Sequence, residues 1–311
     1  MRYNDIEFIN DLIQKNEIAE FIRYYEAKKD DEIKTLADVF ARDIEKNRVV
    51  FVSGSSSVGK TTTTLKLEKY LDDMGINAST ISLDDFFKSK EELPQKENGS
   101  VDYESVNALD LETLAEFFKK LESDKAAPKP VFSFSLGTRR DEWQEINIQG
   151  DSILMVEGLH ALNDIIISMF PQDKQTTLYL EIGDAMYKDR RIFIEPTSIR
   201  FLRRLVRDYR YRKSSVNNTM LMWPGVLRGD REYVIPASYK AKNVISTFYP
   251  YDVSALKPDA YALLSEAKDD SPFEYDIADM LRRLSYVEPI GTKDIPPTAL
   301  IREFIGESIY Y

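Results

Sequence analysis

The sequence predicts an α/β fold: a parallel sheet flanked by helices, with a helical extension before it and a helical lid. Three observations carry that reading. Short apolar runs of strand character at 48–53, 78–83, 152–157, 177–182 and 243–248 have helical stretches near 60–74, 107–122 and 198–212 between some of them. Strands alternating with helices give a parallel sheet covered on both faces. The first strand runs into Gly54-Ser55-Ser56-Ser57-Val58-Gly59-Lys60-Thr61, a full match to the phosphate-binding P-loop pattern. Composition is the third: 43% hydrophobic and 31% charged residues suit a globular chain with a sizeable core. The fold class is therefore of the P-loop NTPase type.

Taken in order, residues 1–47 read as a helical N-terminal extension with two charged amphipathic helices, near 4–27 and 31–46. Ile6, Ile9, Leu12 and Ile13 make one apolar stripe; Ile33, Leu36, Val39 and Phe40 make the other. Packing on the nucleotide domain is the expected role, with a partner-binding arm as the alternative. The nucleotide domain is expected over 48–256, its lid over about 198–235. After the P-loop, Leu67, Tyr70, Leu71 and Met74 share a helix face and Gly75 is a stop signal. Residues 88–101 read as a mobile polar surface loop, and Ala126–Pro130 as a second break. Residues 257–311 read as two helices and a Pro-containing tail packed on the domain.

The P-loop carries a specific chemistry. Its glycines let the backbone wrap phosphate oxygens, and the helix start presents unpaired N–H groups to negative charge. Lys60 would reach the β- and γ-phosphates, and the Thr61 hydroxyl would ligate Mg²⁺. Asp84 and Asp85 close the second strand, at the sheet edge where ligands bind in open α/β folds. Asp84 is the candidate base or Mg²⁺ contact; Asp85 reads as a helix cap or solvated neighbour. Ser152-Ile-Leu-Met-Val-Glu157 has the pattern of a strand delivering one acid to the cation or the attacking group. Arg200, Arg203, Arg204 and Arg207 share a helix face, with Arg212 beyond. Arginine forks match phosphate oxygens, so this face reads as phosphate-binding. The lone histidine, His160, reads as a structural hydrogen-bonding residue.

Net charge is −11 and the pI about 4.9, so no global footprint for nucleic acid is present. The chain has no cysteine, which excludes disulfides and thiolate metal sites. The N-terminus lacks signal-peptide character, and no apolar run reaches membrane-spanning length. A cytoplasmic protein is the expectation. Homo-oligomerisation is left open.

These blocks, in this order, resemble the uridine kinase/phosphoribulokinase family of P-loop kinases over about 48–250. Gly54–Thr62 resembles its P-loop, so Thr62 joins the ATP-binding set. Ser82-Leu-Asp84-Asp-Phe-Phe87 resembles the block whose Asp is the proposed base. Asp102-Tyr-Glu104 resembles the block whose acid contacts the substrate, and Phe132-Ser-Phe134 with Arg139 resembles the Tyr-Asp-Phe…Arg block. Arg204, Arg207 and Arg212 resemble the lid arginines that touch phosphates. Glu157-Gly-Leu-His-Ala-Leu-Asn163, Trp223-Pro-Gly-Val226 and Arg302-Glu-Phe-Ile-Gly306 resemble the kinase part of TGS-fused members, here with a short helical lead. The resemblance implies ATP and Mg²⁺ as cofactors and a small-molecule acceptor. It implies catalytic roles for Lys60, Asp84, Glu157 and Arg204, and acceptor contacts for Asp84, Phe87, Glu104, Phe132 and Arg139.

The chain departs from the uridine kinases where they read the pyrimidine: Phe132 and Gly137 stand in place of a Tyr and a His. A site that loses a polar contact loses the discrimination it supplied. Kinase chemistry is the expectation, with the acceptor open between nucleoside and sugar type. The alternative is a nucleotide-binding regulatory protein with little turnover. A GTPase switch would need an Asn-Lys-x-Asp motif, which the sequence lacks.

Overall fold

The structure, a computed structural model, describes residues 2–95, 99, 101–133, 136–267 and 271–310. Its centre is a five-stranded sheet of β1 (Val49–Gly54), β2 (Asn77–Ser82), β5 (Ser152–Glu157), β6 (Gln175–Glu181) and β9 (Asn243–Ser246), in the order β2-β5-β1-β6-β9. Every pairing is parallel. The five runs expected as strands are the five strands of this sheet. Val49, Val50, Phe51 and Val52 are all 0% exposed, as a central strand covered on both faces requires. Alternation sends Val50 and Val52 into one core and Val49 and Phe51 into the other.

The first core lies under α2 (Ile18–Ala41), α3 (Lys60–Asp73), α6 (Pro196–Arg212) and α9 (Asp252–Ala267). The second lies under α4 (Leu111–Asp124), where Phe117, Phe118 and Leu121 pack on Phe51 and Val156. The remaining helices are α1 (Ile6–Gln14), α5 (Asp164–Ile167), α7 (Val216–Gly229), α8 (Ile235–Ser238), α10 (Glu274–Leu284) and α11 (Arg302–Ile305). A π-helical turn, Asp230–Val234, joins α7 to α8. Among the described residues, no helix is long and apolar enough to cross a membrane.

The structure departs from the sequence reading at several places. The N-terminal helices break at 15–17, not near 28–30, because Asn16 takes a left-handed φ of +58° that ends α1. The gap left between the two expected helices, at 28–30, sits inside the 24-residue α2, and its charged residues have tertiary partners. Lys29 donates to Glu32 at 2.8 Å and to the Ser246 carbonyl at 2.9 Å. Asp30 accepts from Lys66 of α3 at 2.8 Å, and Glu26 accepts from the Tyr251 hydroxyl. So α2 is tied to the P-loop helix.

Ala126–Pro130 is no break; it begins β3 (Ala126–Ser133), which pairs with β4 (Thr138–Asn147) in an antiparallel hairpin. A two-stranded ribbon has two open edges, where a proline's missing N–H costs nothing. A second hairpin joins β7 (Met186–Lys188) to β8 (Arg191–Ile194). Of the loop expected to be mobile, 96–98 and 100 lie outside the described residues, as does Phe134. The boundary expected between 256 and 257 falls inside α9.

Candidate active site

The P-loop leaves β1 at Gly54 and enters α3 at Lys60. Two glycines make this path possible. A Cβ at Gly54 would lie 2.5 Å from the Leu180 carbonyl oxygen. Gly59 has φ +95°, and its Cβ would lie 2.6 Å from Leu300 Cδ1, so the C-terminal segment packs against the loop. Ser57 also takes a left-handed φ, +62°. Lys60 Nζ donates back to the carbonyls of Gly54 at 2.9 Å and Ser55 at 3.3 Å. Thr61 stands half-buried at the start of α3. Thr62 is buried, and its hydroxyl donates to Glu303 at 2.7 Å, which ties the helix to α11.

The loop opens onto a cleft of about 830 Å³ at the C-terminal ends of the strands. Ser56, Lys60, Asp84, Phe87, Glu104, Glu157, Arg204 and Arg212 line it, bringing together eight residues expected in the site. Ser82 and Glu157 are register partners across β2 and β5. Asp84 follows Ser82 in a 3-10 turn that the Ser82 hydroxyl caps at 3.3 Å. Parallel pairing thus delivers both carboxyls to one wall.

Burial dominates their titration. It pushes Glu157 up to about 7 against the pull of Lys60, with Asp84 adding to the rise. It raises Asp84 too, against Lys60 and Arg212. Glu104 is pushed up to about 7 by burial, with Arg204 opposing. Burial thus raises three acids in one cleft, each with a cation opposing the rise.

Helix α6 spends part of the arginine face that reads as phosphate-binding on partners within the protein. Nine of its residues are buried, Arg200, Arg203 and Arg204 among them. Arg200 donates to the Ser56 carbonyl at 2.9 Å and to Asp230 at 2.6 Å. Arg203 is 0% exposed; it binds Asp252 and donates to the carbonyls of Val58 at 3.2 Å and Thr247 at 2.7 Å. Arg204 reaches the Ser56 hydroxyl at 2.9 Å and Asp208 at 3.1 Å. Arg207 is held by Asp208 at 2.9 Å and is not in the cleft wall, whereas Arg212 is 58% exposed and is. The balancing acids Asp230 and Asp252 lie 30 and 49 residues along the chain, beyond any helix periodicity.

A sequence model of the phosphoribulokinase/uridine kinase family matches residues 49–254. The chain belongs to that family. A uridine kinase of Clostridium novyi is 23% identical over 198 residues, covering 63% of this chain and 85% of its own. A uridine kinase of Staphylococcus aureus strain JH9 is 26% identical over 198 residues, covering 63% and 86%. A solved phosphoribulokinase from Rhodobacter spheroides superposes with a TM-score of 0.43 at 14% identity, over 67% of this chain and 74% of its own.

In this family member, two expected acceptor residues stand outside the main cleft. Phe132 pairs with Phe87, ring centroids 5.9 Å apart, in an adjoining cavity of about 280 Å³ that also meets Tyr103 and Gly137. Arg139 is bound to Asp110 at 2.8 Å and to the Phe86 carbonyl at 3.4 Å. Asp85 is neither a cap nor solvated: it binds the buried Lys129 and accepts from the Phe132 N–H at 3.3 Å, anchoring the β3–β4 hairpin. The cleft also has walls that sequence reading missed: Tyr103, Tyr211, Met222 and His160. Tyr103 sits inside the Asp102–Glu104 block and Met222 just before Trp223, but nothing in their spacing marks them.

Proposed function

We propose that the protein transfers the γ-phosphate of ATP to a hydroxyl of a small molecule of nucleoside or sugar type. The observation that carries this is the convergence of Lys60, Asp84 and Glu157 on one cleft beside the P-loop. The loop amides and Lys60 hold the triphosphate, and Arg204 and Arg212 supply charge where the phosphoryl group travels. Asp84 takes the proton of the acceptor hydroxyl as its oxygen bonds to phosphorus; the bond to the β-phosphate oxygen breaks and ADP leaves with the electron pair.

The residues present fit Mg²⁺. The Thr61 hydroxyl, Asp84 and Glu157 are hard oxygen donors, and burial raises both carboxyls, a shift that a bound cation would oppose. Among the described residues no three carboxylates or imidazoles cluster, so these donors would share the ion with water and phosphates. Bound there, it would neutralise charge on the phosphates.

A regulatory nucleotide-binding protein would have no need of both Asp84 and Glu157, and both are present. The test is ADP release with ATP and Mg²⁺ across nucleosides, pentose phosphates and pantothenate. ADP release that no acceptor stimulates would overturn the reading.

A further inference from the structure

His160 is the sole histidine of the chain. It lies three residues beyond β5, in the turn that also brings Gly158 and Leu159 to the cleft wall. It is only 6% exposed, and its ring packs edge-on against Tyr233 with centroids 5.3 Å apart. Nε2 lies 3.0 Å from the Glu104 carbonyl oxygen. A carbonyl oxygen only accepts, so Nε2 carries the hydrogen and Nδ1 the lone pair. Burial keeps the ring neutral, its pKa pushed down to about 4. Nδ1 is buried and has no hydrogen-bond partner among the described residues. An unsatisfied buried acceptor costs about 1–3 kcal/mol, and native structures carry few of them.

The charge that acts on this ring is that of Asp102. Glu104 accepts the ring N–H through its carbonyl and also turns its carboxyl to the cleft. Asp102 is close enough to act on the ring's titration. Of the cations in reach, Arg228 is held by Asp102 at 3.1 Å, and Arg204 pairs with Asp208 at 3.1 Å while also acting on Glu104. Lys60, Arg212 and Lys213 belong to the P-loop helix and the end of α6, the triphosphate side. An anionic oxygen beside His160 would meet Asp102 and the buried carboxyl of Glu104, and could donate nothing to Nδ1.

We propose that His160 is a specificity-determining residue: its Nδ1 accepts a hydrogen bond from an uncharged hydroxyl or N–H of the acceptor, so the cleft takes a neutral, hydroxyl-bearing molecule and refuses phosphorylated or carboxylate ones. This rests on the reading of the cleft as a phosphotransferase site. It deepens that reading by choosing among acceptors and by giving a role to a residue that resembled a structural one.

A single histidine makes the test direct. The full chain, labelled with ¹⁵N and saturated with ADP and Mg²⁺, is titrated with uridine, ribitol, D-glycerate and ribose 5-phosphate, and the two ring nitrogens are followed by NMR. The expected ring is the Nε2–H tautomer throughout, with the Nδ1 signal moved by uridine or ribitol and unmoved by the two anions. An Nδ1–H tautomer, a response to the anions alone, or no response to any of the four overturns the proposal. In ADP-release assays with a neutral acceptor, His160→Gln keeps a donor for the Glu104 carbonyl. It should raise the acceptor KM about tenfold while the KM for ATP stays put. An unchanged acceptor KM also overturns it. An Nδ1 response without ADP release from any compound would sink the phosphotransferase reading and leave the binding role of His160 standing.

Discussion

Arg203 and Asp252 form an ion pair with neither side chain exposed, and the same guanidinium holds the Val58 carbonyl of the P-loop at 3.2 Å. A buried pair broken from one side leaves an uncompensated charge, at a cost of about 3–5 kcal/mol. Arg203→Leu should therefore lower unfolding free energy by about that amount in urea melts. The double variant Arg203→Leu with Asp252→Leu should recover part of it. A single variant as stable as the parent would show that the pair is not what secures α6 and α9 under the loop.

Lys60→Ala should remove phosphoryl transfer while far-ultraviolet circular dichroism stays that of the parent. The ammonium is half-buried at the cleft wall and bonds only loop carbonyls, so the core does not depend on it. What disappears is a charge aimed at the β- and γ-phosphates. Near-parental turnover in a folded variant would refute the assignment of this loop.

Asp84→Asn and Asp85→Asn should fail in different ways. The first keeps shape but cannot take a proton, and loss of a general base costs on the order of 10²–10⁴ in rate. The second leaves Lys129, only 5% exposed, without its anion, so the variant should melt earlier while keeping most of its turnover. Measured kcat and Tm for the pair decide it; a rate loss confined to Asp85→Asn would reverse the roles.

Stability should fall between pH 6.5 and 4 in a way that depends on His160. The folded ring has its pKa lowered from 6.5 to about 4. The unfolded chain therefore binds a proton in that window and the folded one does not. The contribution is complete above 6.5, is lost as pH falls, and levels off below 4. From pH 7 to pH 5 the parent should lose about 2 kcal/mol more than His160→Gln in urea melts. Parallel losses in the two proteins would mean the ring titrates normally.

Much of this could be read along the chain. The central strands β1 and β5 are runs of Val, Ile, Leu, Met and Phe because a strand covered on both faces has no polar side to show. The P-loop is legible because it is contiguous: backbone curvature, helix N-terminus and lysine occupy eight consecutive residues. Asp84 and Glu157 were legible because each ends a strand, and parallel strands end at one edge. The misreadings share a cause. The gap expected at 28–30 falls inside α2, Arg200 and Arg203 read as phosphate-binding, and Asp85 reads as a cap or solvated neighbour. Each is held by a residue far along the chain, such as Ser246, Asp230, Asp252 or Lys129.

The sequence by itself determined the fold class, the strands and the phosphate end of the site, because those depend on local pattern and on short-range backbone geometry. Only the tertiary structure decided which charges are spent on holding α6 and the hairpin, and which remain for a ligand. It alone decided that His160 presents an unpaired nitrogen beside Glu104. Burial and pairing between distant segments set those properties, and neither is written in the spacing of residues along one element.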